Sequence, residues 1–266
     1  MNNIVKADLF SPLFTTTNNQ LGIAAGTIYA GHYLPENVPL PEKLWPGSDY
    51  AVGINDGNAI VEKIDRAPGI AFIGGFHVGL DGQIVPQSVW DCKFRPKARD
   101  PRGMVLVGDF WVDIYLLNCH PAKHGTSSAG VDLATGTMSV VMPDSTHQPL
   151  TWWNAVAVLA AHGKQLMSMA EFSVATMGVT EGKAADDKPT KTGHISGLKS
   201  YNGLEQATGC MWTWGRDFDP SGGWAVVMGG VWVSAAAGPR RFSHSLPAGD
   251  YLYVGARGRC DHLILA

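Results

Sequence analysis

Cysteine is sparse and scattered in this chain. The four present, Cys92, Cys119, Cys210 and Cys260, stand singly, and no CxxC pair occurs. That spacing argues against a structural zinc site and predicts reduced, buried thiols. Charge is modest too: 16% of the residues are charged and the net charge is −3. No basic block marks a nucleic-acid or anionic-membrane partner. No apolar run reaches the length of a bilayer span, so membrane insertion is not expected. The opening residues 1–6 lack the basic and apolar regions of a signal peptide, which predicts synthesis and folding in a cytoplasm. The phosphate-loop, nucleophile-elbow and dinucleotide fingerprints of common enzymes do not occur.

Glycine and proline, by contrast, are abundant, with 32 and 16 copies in 266 residues. They predict many turns joining short strands. Residues 1–20 are polar apart from the pairs Leu9-Phe10 and Leu13-Phe14, and read as a short segment that docks on a partner chain. Proline excludes a helix over 34–46. From 49 to about 142, β-branched and aromatic runs at 50–54, 60–64, 70–73 and 110–117 alternate with turn signals such as Asn55-Asp56-Gly57-Asn58 and Asp81-Gly82. This regular spacing predicts a β-sandwich-like intermediate domain over 21–147.

The pattern changes near Pro149. Trp152, Trp153, Val156, Leu159 and Ala160 fit one face of a helix with Thr151 as its N-cap, closed by Gly163. Ser168 and Glu171 form a capping box for a second short helix that ends before Gly178. Residues 178–200 read as an exposed loop. In the segment that follows, Trp212 and Trp214 share a face if it is a strand. The expected class is therefore α+β, with the second domain, 148–266, built from two short helices and a Gly/Trp-rich sheet-and-loop core.

Residues 228–262 organise the rest. The two ends of this stretch are patterned, by Gly229, Gly230 and Trp232 in front and by Gly255, Arg257, Gly258 and Cys260 behind. The interior carries small, polar and aromatic residues with no steady period, broken at Gly238-Pro239, Pro247 and Gly249. Rigid borders around an irregular interior suggest a binding surface carried on a scaffold.

Several separate motifs carry a family resemblance. Trp153-Asn154-Ala155, His162-Gly163-Lys164, Ala170-Glu171-Phe172, Met211-Trp212-Thr213-Trp214 and Gly229-Gly230 with Trp232 resemble the formylglycine-generating-enzyme type of C-type lectin fold. Gly74-Gly75-Phe76-His77, Ser88-Val89-Trp90-Asp91, Phe94-Arg95-Pro96, Asp100-Pro101-Arg102-Gly103-Met104, the run 110–115 and the ending 255–263 are more specific. Together they are similar to the variable proteins of diversity-generating retroelements, among them receptor-binding proteins of phage tails. The resemblance spans most of the chain. It implies a homotrimer of C-type lectin domains on a phage tail fibre, displaying diversified residues to a host cell-surface receptor, with no cofactor. It also implies residence at the tail tip of the virion. Position by position, it assigns display to Val231, Val233, Ser234, Ala235, Ala237, Phe242, His244, Ser245, Gly249, Tyr251, Tyr253 and Val254. Trp232, Gly238, Arg240, Pro247, Gly255 and Arg257 match its scaffold. In this family, adenine mutagenesis of asparagine codons cannot yield Lys, Gln, Glu, Met or Trp, and residues 233–254 contain none of these.

Two rival readings share parts of the pattern. The same fold serves formylglycine-generating enzymes, which need a reactive cysteine pair. Neither Cys210 nor Cys260 sits in a matching motif, so no enzyme is expected. A bacterial surface-displayed variable protein would need an export signal or lipid anchor, and none is visible. Cys119, His120 and His124, or Asp217 and Asp219, include metal-ligand types; no catalytic metal is expected, a structural cation at Asp217 and Asp219 stays open, and the calcium-dependent sugar-binding signature of lectins is absent.

Overall fold

The computed structural model describes residues 14–17, 20–23, 28–29, 32–33, 37–55, 58–64, 71–219, 223–234 and 237–263. The chain divides into two compact units, 1–97 with 262–266, and 98–261. Among the described residues, no helix is long and apolar enough to cross a membrane.

In the first unit, Ser48–Asn55 is the long central strand of an antiparallel sheet. Asn58–Lys63 lies on one side, and Ala71–Val78 followed by Trp90–Asp91 on the other. Phe14–Thr17, Gln20–Ile23 and Asn37–Val38 form a second, three-stranded sheet. Leu21 and Val38 from that sheet share one core with Tyr50, Val52, Ile73 and Phe76 from the first. Both sheets thus contribute to a single apolar cluster. Tyr50 and Phe76 stack with centroids 5.6 Å apart. Gly75 is required beside them, because a Cβ there would meet the Tyr50 carbonyl at 2.5 Å. The docking role expected for residues 1–20 falls largely outside the described residues.

The second unit is mixed α and β. One sheet runs Met104–Val107, Phe110–Asp113, Gly258–Asp261, Gln165–Leu166 in spatial order. The other runs Phe242–Ser245, Ala225–Met228, Trp212–Phe218, Val254–Gly255, the last pairing parallel. The helices are Trp152–Ala161 and Met169–Ala175. Thr151 caps the first by accepting from the Asn154 N–H, and Ser168 with Glu171 completes the capping box of the second. Gly163 and Gly178 follow with φ of 73° and 96°, a conformation that favours glycine. The first helix packs Ala155, Val158 and Leu159 into a core with Leu117, Trp214, Val227 and Val254.

The division falls between Lys97 and Ala98, and not near residue 147 as expected. The reason is a long-range pairing. Phe110–Asp113 is zipped to Gly258–Asp261, so the strands after residue 98 belong to the same unit as the chain's last strand. Strand pattern alone carries no record of such a partner.

Candidate functional site

A buried polar centre holds the frame. Arg257 is wholly buried and spans two segments. Its Nη1 donates to the carbonyls of Asp113 (2.8 Å) and Ile114, and its Nη2 to those of Glu205 (2.7 Å) and Gln206 (3.3 Å). Burial lowers its pKa to about 10, which still leaves it cationic at neutral pH. Beside it, buried Lys164 donates to Asp113 at 2.5 Å and to Thr126 at 2.7 Å. The other Asp113 oxygen accepts the Gly258 N–H at 3.2 Å. Each of these buried charges has polar partners, the condition under which burying them is tolerable.

The irregular segment is tied to this frame by its main chain. Gly229 and Gly230 have φ of 93° and 82°. A Cβ on Gly229 would meet the Phe172 ring at 2.8 Å, and one on Gly230 would meet Ala237 at 2.7 Å. Gly229 O accepts from the N–H groups of both Gly209 and Gly238. Farther along, Pro247 O accepts from the Trp152 N–H, Tyr251 O from the Gly136 N–H, and Tyr253 O from the Trp212 N–H. None of these bonds uses a side chain of the segment, so side chains can change while the path of the backbone is kept.

The twelve residues assigned to display do not all reach the surface. Val231, Ala237 and Val254 are buried, Val254 completely. They are corrected to frame positions: Ala237 backs onto Gly230, and Val254 belongs to the core around Trp214. Ala235 lies outside the described residues. Val233 is 78% exposed and Ser234 half-buried, in a turn closed by the Ser234 N–H on Val231 O. Phe242, His244 and Ser245 lie on the edge strand of the second sheet, His244 exposed and the other two half-buried. Gly249 lies against the Tyr251 ring, where a Cβ would come within 2.4 Å.

The two tyrosines divide in role. Their rings lie side by side, 5.9 Å apart. Tyr251 also packs against buried Trp214 at 6.0 Å, and its hydroxyl accepts the Leu246 N–H at 3.1 Å. Tyr253 is 41% exposed and covers its neighbour. Leu252 is exposed too, so 251–253 is not an ordinary core strand. The frame positions also need one change. Trp232 and Pro247 are half-buried and Gly238, Gly255 and Arg257 buried, but Arg240 is exposed. Exposed Arg241, Leu246 and Leu252 escaped the sequence reading; the only signal for them was their place inside the irregular interior.

Burial raises the pKa of Cys119 to about 11, of Cys210 to about 12 and of Cys260 to about 11. Thiols this reluctant to ionise are poor nucleophiles. Cys119 donates its S–H to Leu133 O, and Asp217 accepts the Met169 N–H at 2.6 Å at the start of the second helix. Among the described residues, no group of three or more His, Cys, Asp or Glu is placed to hold a metal ion.

No protein-family model matches the chain. The tail fiber receptor-binding protein of Bordetella phage BPP-1 is 32% identical over 323 aligned positions, covering 98% of this chain and 85% of the relative. Two solved structures, of the Major Tropism Determinant U1 and I1 variants, superpose with TM-scores of 0.87 and 0.89 at 32% and 31% identity. Each covers 98% of this chain and 86% of its own.

Proposed function

The chain belongs to the family of phage tail-fibre receptor-binding proteins that includes the major tropism determinants, C-type lectin folds that carry the variable residues of diversity-generating retroelements, and we propose that its second unit displays a changeable binding face to a host surface receptor. The observation that carries this reading is the separation of tasks in residues 228–262. Main-chain bonds and buried Arg257 hold the path, while Val233, His244 and Tyr253 face outward. With Ser234, Phe242, Ser245, Gly249 and Tyr251 they make up the proposed face. Aromatic side chains supply large contact area with few torsions to freeze, which makes Tyr253 and Tyr251 its energetic centre.

The working form is a homotrimer at the tip of the tail fibre, in the virion, after synthesis in the host cytoplasm. Three copies turn weak single contacts into avid attachment, a gain on the order of 10²–10⁴. The chain acts by binding and not by catalysis, in keeping with its raised thiol pKa values. Competition tests the reading directly. Purified protein is expected to block adsorption of a phage carrying it to that phage's host in a saturable manner. Undiminished adsorption at saturating protein contradicts it.

A further inference from the structure

Among the described residues, the strand Phe242–Ser245 closes one side of its sheet and has a neighbour, Ala225–Met228, on the other side only. The direction of its main-chain groups follows from the ladder. Gly229 donates its N–H to Arg241 O at 2.8 Å. Partners then run Met228↔Phe242, Val227↔Ser243, Val226↔His244 and Ala225↔Ser245. Inward bonding alternates along an antiparallel ladder, so Ser243 and Ser245 bond to the sheet. Phe242 and His244 turn their N–H and C=O groups outward. No bond to those outward groups is found among the described residues. Ser243 and His244 are exposed, and the strand holds no proline and no bulge to blunt it.

The chain entering the strand carries two cations. Arg240 and Arg241 are both exposed, and neither forms an ion pair among the described residues. The nearby acid, Glu181, lies against Gly238 and is not paired to either. An open strand edge led by two solvated guanidinium groups suits an extended segment carrying carboxylates.

We propose that the outer edge of Phe242–Ser245 binds an extended, acidic segment of a host surface protein as an added strand. This rests on the receptor-binding reading and specifies its chemistry. The main-chain bonds supply a part of the affinity that does not depend on which side chains the strand carries. Diversification of Phe242, His244 and Ser245 then tunes selectivity without starting each time from no binding at all. The strand is short, which limits pairing between copies of the edge itself.

The test uses the full chain and a fluorescent peptide of alternating threonine and glutamate, followed by anisotropy. Saturable binding is expected, weakened by salt and by Arg240→Ser with Arg241→Ser. Methylating alternate peptide nitrogens removes main-chain donors and is expected to weaken binding about five-fold or more for each bond lost. His244→Pro deletes one outward N–H at a position where the ladder does not need it. It is expected to weaken binding well beyond His244→Ala. If the proline variant melts early, the methylated peptides on the unaltered protein still decide. Absence of peptide binding, or binding indifferent to methylation, overturns strand addition. So does binding of dextran sulfate in place of the peptide, which would mark a simple polyanion site. Attachment of the same protein to host cells is measured in parallel. Attachment without peptide binding rejects strand addition alone, whereas loss of attachment by unaltered protein rejects the receptor-binding reading.

Discussion

Replacing Arg257 by leucine lowers the stability of the 98–261 unit by about 3–5 kcal/mol, the range seen when a buried charged group loses or leaves its partners. For a unit of this size that is a fall in melting temperature of roughly 6–20 °C. The reason lies in what the guanidinium joins. It donates to carbonyls at 113–114, at the end of a strand, and at 205–206, in a loop. Leucine fills part of the volume but withdraws the donor from the buried carbonyls of Asp113, Glu205 and Gln206, while Ile114 O keeps the Glu205 N–H at 2.9 Å. Lysine is expected to recover only a fraction, since one ammonium cannot reach both segments as the planar fork does. Among the described residues the Nε of Arg257 has no hydrogen-bond partner, and the residue is held by its two terminal nitrogens. Thermal unfolding followed by circular dichroism checks this. A melting temperature unchanged within a degree or two contradicts the role given to Arg257.

The second large effect separates the two tyrosines. Tyr253→Ala is expected to reduce host-cell attachment by about 2 kcal/mol of binding energy per site, the scale of an interface hot spot and more than ten-fold in affinity. Its melting temperature stays within about 2 °C of the parent, because the ring is largely outside the packed core. Tyr251→Ala is expected to lose attachment and also about 1–3 kcal/mol of stability. Its ring touches Trp214 and its hydroxyl accepts the Leu246 N–H, so removal opens a gap beside the core and frees a loop. Paired attachment and melting measurements on the two variants check this. Equal destabilisation by both would mean that Tyr253 is core as well.

The helices were legible because their signals are local. Thr151, Ser168 with Glu171, Gly163 and Gly178 act within one turn of themselves, and the structure uses each as its chemistry suggests. Trp212 and Trp214 also face the same core, as period-two alternation requires. The unit boundary was not legible. Gly258 and Asp113, which meet through a hydrogen bond, are 145 residues apart in sequence. Nothing local to either announces the other. The display set was legible only in part, for a related reason. Val231, Ala237 and Val254 are small and apolar, and such residues fit a pocket under a glycine turn as well as a solvent-facing loop. Arg240 shows the converse. A residue matched to a scaffold position by motif faces solvent here, while Arg257, seventeen positions on in the same stretch, is enclosed.

Exposure and motif together place the variable face more narrowly than either alone. Val233, His244 and Tyr253 are the assigned positions that combine a place in the irregular interior with an exposed side chain. The neighbouring half-buried set, Ser234, Phe242, Ser245, Gly249 and Tyr251, has one side committed to the frame. Substitution there is expected to move stability and binding together.

The most direct measurement is made on one protein carrying Val233→Ser, His244→Ser and Tyr253→Ser at once. Its melting temperature is recorded beside its attachment to the phage's host cells. Unfolding is expected to remain cooperative and within about 5 °C of the parent, since exposed substitutions each shift stability by no more than roughly 0.5 kcal/mol, while attachment falls further than the roughly ten-fold or more expected for Tyr253→Ala alone. Loss of cooperative unfolding, or full attachment by the triply altered protein, would contradict this expectation.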